Sequence, residues 1–464
     1  MWAQIDFQGA VGSVTGSKSL LSFDGKKYLI DCGLFQGHKL DRAKNWEKPD
    51  FDFEKLESLI LTHAHLDHSG YVPRLVKLGF RNPIYCSEGT AELCKILWMD
   101  AAKLQEEDAD YANRSGYSNH KPAFPLYTID DAEAAVKLLK PCSRNGWIRL
   151  GTNISVKFLR SGHIIGSSFL QFSLTQNGQT KLVTFSGDVG NGRLRTLKEP
   201  VDLDETDILV IEGTYGNRPQ SRKDPKDELG EVLKRVIKRK GVVVIPAFAV
   251  GRSQEILYLI RILENEGVIP AVPVLLDSPM SLSATDVFLK HKEDSSIFGI
   301  AGDEDFSFFP RFYERVESTD ESMMACMREG PMIVISASGM LSGGRVLHHL
   351  KKRLPDERNC VLFVGYQAEG SKGRFLQEKG NLEGNMRIHH EVVQVNAEVA
   401  TISSLSAHGD AQDLMEWISR FRRKPQKIYV NHGSEESTRY FANLITQSLG
   451  IPAIAVVDEG KCIL

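Results

Sequence analysis

Residues 63–68 read His-Ala-His-Leu-Asp-His and follow directly on the apolar run Leu59–Leu61. Four groups able to ligate a metal fall within six positions. The chain must therefore turn at the end of a strand and aim those groups at a common point. Neutral imidazole and carboxylate are the ligands that Zn²⁺ and similar borderline ions accept. His63 and His65, two apart, point the same way from extended backbone, while Asp67 and His68 lie around the bend and face a neighbouring position. With 13 histidines among 464 residues, three in six places is not a chance cluster. Two metals need about six ligands or more, so other segments must supply the remainder.

Those segments show in the wider pattern. Short β-rich runs alternate with amphipathic windows, which predicts an α/β protein. Predicted strands are 27–31, 59–62, 154–159, 182–185, 208–212, 242–247, 332–336, 360–365 and 427–431, with helices over 88–111 and 227–240. Asn177-Gly178 reads as a hairpin turn, so the sheets are not purely parallel. Several strands end in polar clusters: Ile-Asp-Cys-Gly at 30–33, Phe-Ser-Gly-Asp-Val-Gly at 185–190, Ile-Glu-Gly-Thr-Tyr-Gly at 211–216 and Tyr-Val-Asn-His-Gly at 429–433. Functional groups at the carboxyl ends of strands are the habit of α/β active sites. His163, Asp188 and His432 stand in such contexts, with Asp188 suited to bridge two metals. Alone, each reads as a cap or turn former; beside the 63–68 cluster, each becomes a ligand candidate. Asp188 and His432 are 244 residues apart. If both serve one metal pair, the chain between must leave the site and return, which predicts an inserted domain over 210–389 within a domain made of 1–209 and 390–464.

Composition narrows the class. Hydrophobic residues at 42% and charged residues at 25% suit a globular enzyme, and a net charge of −3 excludes a protein that grips nucleic acid by bulk charge. The seven cysteines include no Cys-x-x-Cys pair, so neither a cysteine zinc site nor a disulfide framework is predicted. The opening residues lack a basic stretch followed by an apolar one, and no segment is long enough to span a bilayer; a cytoplasmic protein without membrane contact is expected.

With these motifs in place, the sequence resembles the metallo-β-lactamase superfamily: His-x-His-x-Asp-His, a downstream Gly-His, a Gly-Asp and a late His. Ile-Glu-Gly-Thr-Tyr-Gly at 211–216, Ile-Pro-Ala-Phe-Ala-Val-Gly-Arg-Ser-Gln-Glu at 245–255, Asp-Ser-Pro-Met at 277–280, Ser-Ala-Ser-Gly-Met-Leu-Ser-Gly-Gly-Arg at 336–345, Ser-Ala-His-Gly-Asp at 406–410 and Val-Asn-His-Gly at 430–433 narrow it to the β-CASP nucleases. The resemblance covers nearly the whole chain and is nearest to the compact bacterial members, relatives of the nuclease subunit of the cleavage and polyadenylation specificity factor. It implies an αββα sandwich carrying an inserted α/β β-CASP domain. It implies two Zn²⁺ per chain, with Mn²⁺ an alternative: His63, His65 and His163 on one, Asp67, His68 and His432 on the other, and Asp188 between them. Asp31 would orient the site, and a hydroxide activated by both metals would hydrolyse phosphodiester bonds. Glu212, His408 and His432 match motifs A, B and C; His at motif C is typical of members acting on RNA, so single-stranded RNA is the expected partner.

The chain departs from the family at Gly370-Ser371-Lys372-Gly373-Arg374, where Gly-Thr-Leu-Gly-Arg is common, and at motif A, where Gly213 replaces Ser. It also lacks the N-terminal RNA-binding extension of archaeal relatives and the C-terminal extension of ribonuclease J. The expected catalytic groups are His408, as general acid held by Glu212, together with Asp188 and Asp67. Arg252, Ser336, Ser338, Arg345, Ser371 and Arg374 lie on glycine-rich turns leading into helices, whose free N–H groups suit phosphate. The basic runs 234–240 and 420–427 read as solvated faces. His348-His349 and His389-His390 read as surface or core histidines. A DNA nuclease and a small-ester or thioester hydrolase are the competing readings. The mode of cutting and the assembly, a homodimer included, stay open.

Overall fold

The computed structural model describes residues 2–116, 121–144, 146–297, 308–365, 367, 370–389, 391–457 and 460–463. All nine predicted strands are present, each within a few residues of its expected bounds. The chain forms two compact units, one of Met1–Gly192, Glu199–Pro219 and His408–Leu464, the other of Arg193–Lys198 and Gln220–Ala407.

The first unit is built on two seven-stranded sheets. One runs Lys461–Ile463, Ala3–Phe7, Ser19–Phe23, Lys26–Ile30, Ser58–Ile60, Ile84–Ser87 and Leu139–Cys142; the other runs Ala453–Ala455, Lys427–Asn431, Ile208–Glu212, Gln179–Phe185, Ser168–Gln176, Ile154–Arg160 and Ile148–Arg149. Alternating residues decide how they pack. Phe7, Tyr28 and Ile60 of the first sheet meet Phe158, Phe172, Phe185 and Val210 of the second in a single core. The opposite face of the second sheet, with Phe169, Leu209, Ile211 and Val430, packs on Trp417 and Phe441 of helices Ala411–Ser419 and Glu435–Leu449. Helices Val72–Lys77, Glu88–Ser115 and Ile129–Val136 precede or follow strands of the first sheet, giving the αββα order. The expected hairpin is present: Gln176 pairs with Gln179, and Asn177 and Gly178 take φ of 53° and 75°. A two-residue turn of the kind that matches strand twist needs positive φ at both positions, which Asn and Gly tolerate.

In the second unit six parallel strands run in the order Phe312–Arg315, Pro273–Leu276, Met332–Ser336, Val242–Pro246, Cys360–Phe363 and Glu398–Thr401. A parallel sheet covered by helices on both faces buries both sides of its strands, so they read as unbroken apolar runs. Val242–Pro246 is buried throughout. The sequence boundary at 389/390 differs from the structural one because Glu398–Thr401 pairs with Cys360–Phe363 as the sixth strand, which keeps residues up to Ala407 with this unit. Helix Pro225–Lys238 starts with Asp224 as its cap and Pro225 in its first turn. It ends just before Lys240, whose φ of 59° is incompatible with a continuing helix. Among the described residues no helix is long and apolar enough to cross a membrane.

Candidate metal centre

Strand Ser58–Ile60 delivers the 63–68 cluster, and a single helical turn, Leu66–Ser69, bends it. Neighbouring backbone clasps that turn. The Ser17 amide donates to the Asp67 carbonyl (2.8 Å), the Cys32 amide to the His68 carbonyl (2.7 Å) and the Leu34 amide to the Leu66 carbonyl (2.8 Å). Gly33 is required there, because a Cβ would lie 1.6 Å from the Asp67 carbonyl oxygen. Trp98 of the long helix donates its indole N–H to Ser69 Oγ (3.1 Å), which donates to the Ala64 carbonyl (2.7 Å).

The side chains form two groups sharing a carboxylate. His63, His65, His163 and Asp188 bring ligand atoms within 4.8 Å of one another, as do Asp67, His68 and His432. Asp188 Oδ2 lies 3.3 Å from His63 Nε2 and 3.4 Å from His163 Nε2, while its Oδ1 lies 3.2 Å from His68 Nε2. One carboxylate thus turns an oxygen to each group. The imidazole nitrogens face one another: His68 Nε2 is 2.9 Å from His432 Nε2, and His65 Nδ1 is 3.2 Å from both His63 Nε2 and His163 Nε2. Two imidazole nitrogens that meet through lone pairs repel unless a proton or a metal cation lies between them. That donor set of six nitrogen and carboxylate groups around a shared carboxylate fits two metal ions of the zinc type.

Outer partners fix the rings. Asp31, in the left-handed region at φ 58°, accepts from the Thr62 amide (2.8 Å) and hydroxyl (2.8 Å) and from His68 Nδ1 (2.7 Å). The Thr62 hydroxyl is also 3.0 Å from His63 Nδ1. With Nδ1 donating in both rings, Nε2 carries the lone pair toward the metal. Ser167 Oγ accepts from the His163 amide (3.0 Å), and Thr214 Oγ1 lies 3.3 Å from His432 Nδ1. Thr62, Ser167 and Thr214 were not singled out from the sequence. Their signal was there, in a hydroxyl residue next to His63, four places after His163 and two after Glu212.

Electrostatics separates the two groups. Burial and the neighbouring His63 hold His65 down at about 3, and burial with the charge of His408 holds His163 well below its usual range, so both are neutral and ready to ligate. For His68 burial acts downward, but Asp188 and Asp31 overcome it and raise the ring well above its ordinary value. Asp67 and Asp188 stay ionised: burial raises each, and facing histidines outweigh it.

Beside Asp188 Oδ2, 3.9 Å from His408 Nδ1, lies a third group, Asp188, Glu212 and His408. His408 Nδ1 sits 3.1 Å from Glu212 Oε2, and Glu212 Oε1 accepts from the Val189 amide (2.6 Å). Burial acts against the charged ring, yet Glu212 and Asp188 lift His408 to about 9.

The expected phosphate contacts all lie in the second unit, at a strand end or in the turns and first helical residues that follow its strands. Arg252 opens helix Arg252–Asn265. Ser338 Oγ accepts from the Ser342 amide (3.3 Å). Arg345 and Ser336 instead join a buried cluster around Asp277. Asp277 accepts from Arg345 Nη1 (3.0 Å), Ser322 Oγ (2.6 Å) and His349 Nε2 (2.7 Å), and its carbonyl accepts from Ser336 Oγ (2.8 Å). Arg345 also donates to the Val316 and Glu317 carbonyls. The 370–374 departure keeps what the backbone needs. Ser371 caps helix Lys372–Glu383 by accepting from the Arg374 amide (3.1 Å), and a Cβ on Gly373 would meet Gln367 Oε1 at 1.8 Å. Arg374 pairs with Glu378 one turn on. His348 is exposed and His349 fully buried, His389 lies 5.0 Å from His348 between ring centres, and His390 is outside the described residues. In the basic run 420–427, Arg420 pairs with Asp202, Arg423 with Glu205 and Asp207, and Lys424 donates to the Ile418 carbonyl.

Comparison with known proteins shows the family. The family model of the metallo-beta-lactamase superfamily matches residues 16–247, that of the Beta-Casp domain 253–376, and that of the Zn-dependent metallo-hydrolase RNA specificity domain 392–456. Ribonuclease TTHA0252 of Thermus thermophilus is 34% identical over 97% of this chain and 98% of its own. Transcription termination factor FttA of Methanosarcina mazei is 30% identical over 98% of this chain and 71% of its own. The RNase J-like protein of Methanocaldococcus jannaschii is 31% identical over 93% and 92%. A crystal structure of a protein of unknown function from Enterococcus faecalis V583 shares the fold, with a TM-score of 0.55 and 13% identity over the whole of both chains. Sequence motifs, ligand geometry and relatives converge, and the chain belongs to the β-CASP family of the metallo-β-lactamase superfamily.

Proposed function

We infer that this chain is a metal-dependent ribonuclease that hydrolyses phosphodiester bonds of single-stranded RNA with two zinc ions. The observation that carries the reading is Asp188, with one oxygen toward each of two ligand groups and the His408–Glu212 pair at its side. The ribonuclease relatives and the matched RNA specificity domain support RNA as substrate. His432, the residue typical of RNA-processing members at its motif, supports it too.

In this reading His63, His65 and His163 hold one ion, and Asp67, His68 and His432 the other. Bound there, two ions supply charge neutralisation for the scissile phosphate and an acidified water. The chain's own groups do the rest. Asp31 and Thr62 hold the rings of His68 and His63 so that Nε2 points inward. His408, charged at neutral pH because Glu212 and Asp188 raise it, donates a proton to the departing oxygen from Nε2 while Nδ1 stays on Glu212. Glu212 in turn is fixed by the Val189 amide, so the donor keeps one orientation.

The test is incubation of zinc-loaded protein with 5′-labelled single-stranded RNA, the DNA counterpart and a small ester, with a chelated control. Zinc-dependent cleavage of RNA alone is expected, and product lengths separate internal cutting from trimming at an end. Turnover of the ester without cleavage of RNA would overturn the reading.

A further inference from the structure

The hollow at the carboxyl edge of the second unit's sheet has no role in the chemistry above. Strand order shows why it matters. Val242–Pro246 lies between Met332–Ser336 and Cys360–Phe363. From Val242–Pro246 the chain crosses to Pro273–Leu276 on one side, and after Met332–Ser336 it passes to Cys360–Phe363 on the other. The connections thus diverge at the ends of these three strands, the place where open parallel sheets leave a crevice for ligands.

Phe248 stands in that crevice. It lies in the loop after Val242–Pro246 and is 43% exposed, although removing such a ring from water is favourable. Its backbone is fixed rather than loose. Ser253 donates to the Phe248 carbonyl from both Oγ (2.9 Å) and its amide (3.3 Å), and the Ala247 amide donates to the Ser336 carbonyl (3.1 Å). Glycines flank the ring where the two neighbouring strands end. A Cβ on Gly339 would lie 3.4 Å from the ring, and one on Gly365 3.8 Å from it. Gln367 ties those two turns together, donating to the Gly339 carbonyl (2.9 Å) and the Gly365 carbonyl (3.3 Å). Arg252 lines the same hollow. A half-open aromatic on a fixed backbone, faced by two glycines among the described residues of the adjacent turns and next to a guanidinium, has the form of a stacking platform. The ordinary reading, a stray apolar surface residue, suits Leu104 or Tyr111 on a helix face. It does not suit a ring held at the crevice of a sheet.

We propose that Phe248 is a base-stacking subsite, on which one unpaired nucleobase of the RNA rests while Arg252 contributes positive charge. This rests on the ribonuclease reading and adds to it a contact indifferent to base identity, since every base offers a π-face.

The test is a protein–RNA double-mutant cycle. Rates at subsaturating substrate (kcat/KM) are measured on a 12-nucleotide oligo(A) and on versions with one abasic ribose at each position in turn, using wild type, Phe248→Ala, Phe248→Leu and Phe248→Trp. In wild type, one abasic position is expected to cost roughly 5- to 150-fold. Phe248→Ala and Phe248→Leu should lose a similar factor on intact RNA, mostly in KM, and show no further penalty at that position. Phe248→Trp should restore binding, and all four proteins should unfold at similar temperatures. Equal rates for Phe248→Leu and wild type, or an abasic penalty that persists in Phe248→Leu, would overturn the subsite while leaving the ribonuclease intact. Failure of wild type to cut any of the RNAs would overturn both readings.

Discussion

The metal centre of the first unit and the Asp277 cluster of the second both bury imidazole against carboxylate. Around Asp277 the carboxylate meets donors, although His349 Nδ1 is buried without a partner among the described residues. Arg345, Ser322 and His349 all donate to its two oxygens, and burial, which would raise the carboxyl, is overcome so that it lies below its usual range. At the metal centre the contacts differ. Nitrogens face nitrogens at 2.9–3.2 Å, and Asp188 Oδ1 accepts no hydrogen bond. A carboxylate met by donors holds a fold together, whereas imidazole nitrogens and carboxylates converging on one point are a place built for cations. Composition alone does not separate the two; what each group faces does.

Substitutions break the comparison in opposite directions. His408→Ala should lower kcat by roughly 10²- to 10⁴-fold, the usual worth of a positioned acid. Zinc content, read by mass spectrometry, should stay unchanged, and the unfolding temperature should fall only by what buried Glu212 loses with its partner. Asp277→Ala should do the reverse. Removing one partner of a buried ion pair costs about 3–5 kcal/mol, so calorimetry should show the second unit melting earlier while two ions remain bound. Acid should find the same weak point. Asp277 in the folded state lies below its ordinary 3.8. Its stabilisation is therefore full above that value and fades as pH falls toward the folded one, because only the unfolded chain takes up the proton. Asp277→Asn should flatten that acid limb.

How much of this was legible beforehand follows from where the residues sit. The 63–68 ligands are neighbours in the chain, and His163, Asp188 and His432 share a strand-end setting, so all could be read before any coordinates. Alternation and apolar runs likewise exposed the strands. The Asp277 cluster escaped notice because Asp277 and His349 are 72 residues apart and nothing acidic adjoins His349 in sequence. For the same reason Arg345 looked like a phosphate contact, although its guanidinium is engaged by Asp277 and two carbonyls. The second boundary of the inserted unit was missed because Glu398–Thr401, a short edge strand, carries no strong apolar signal.

Smaller effects sharpen the picture within the metal centre. Asp31→Asn should weaken zinc binding or activity by roughly 10- to 100-fold, as for other partners that orient a ligand ring, with the larger loss at the His68 position. Protons should discriminate between the two ions. His65 and His163 are neutral at neutral pH, but the raised His68 must release a proton to ligate. Titration calorimetry in buffers of different ionisation heat should therefore show more protons released with the ion held by His68 than with the one held by His65 and His163. On acidification the ion held by His68 should leave first, its affinity falling about tenfold per pH unit while the His68 proton competes.

Asp188, with an oxygen toward each ligand group, is the residue on which the proposed two-metal chemistry depends. Native mass spectrometry of zinc-loaded wild type and Asp188→Asn, read alongside cleavage of single-stranded RNA, tests this most directly. The expected result is two ions per chain in wild type, weakened retention of both in the variant, and no detectable cleavage by the variant. A wild-type chain that holds fewer than two ions, or an Asp188→Asn chain that holds two as tightly and still cuts RNA, would contradict it.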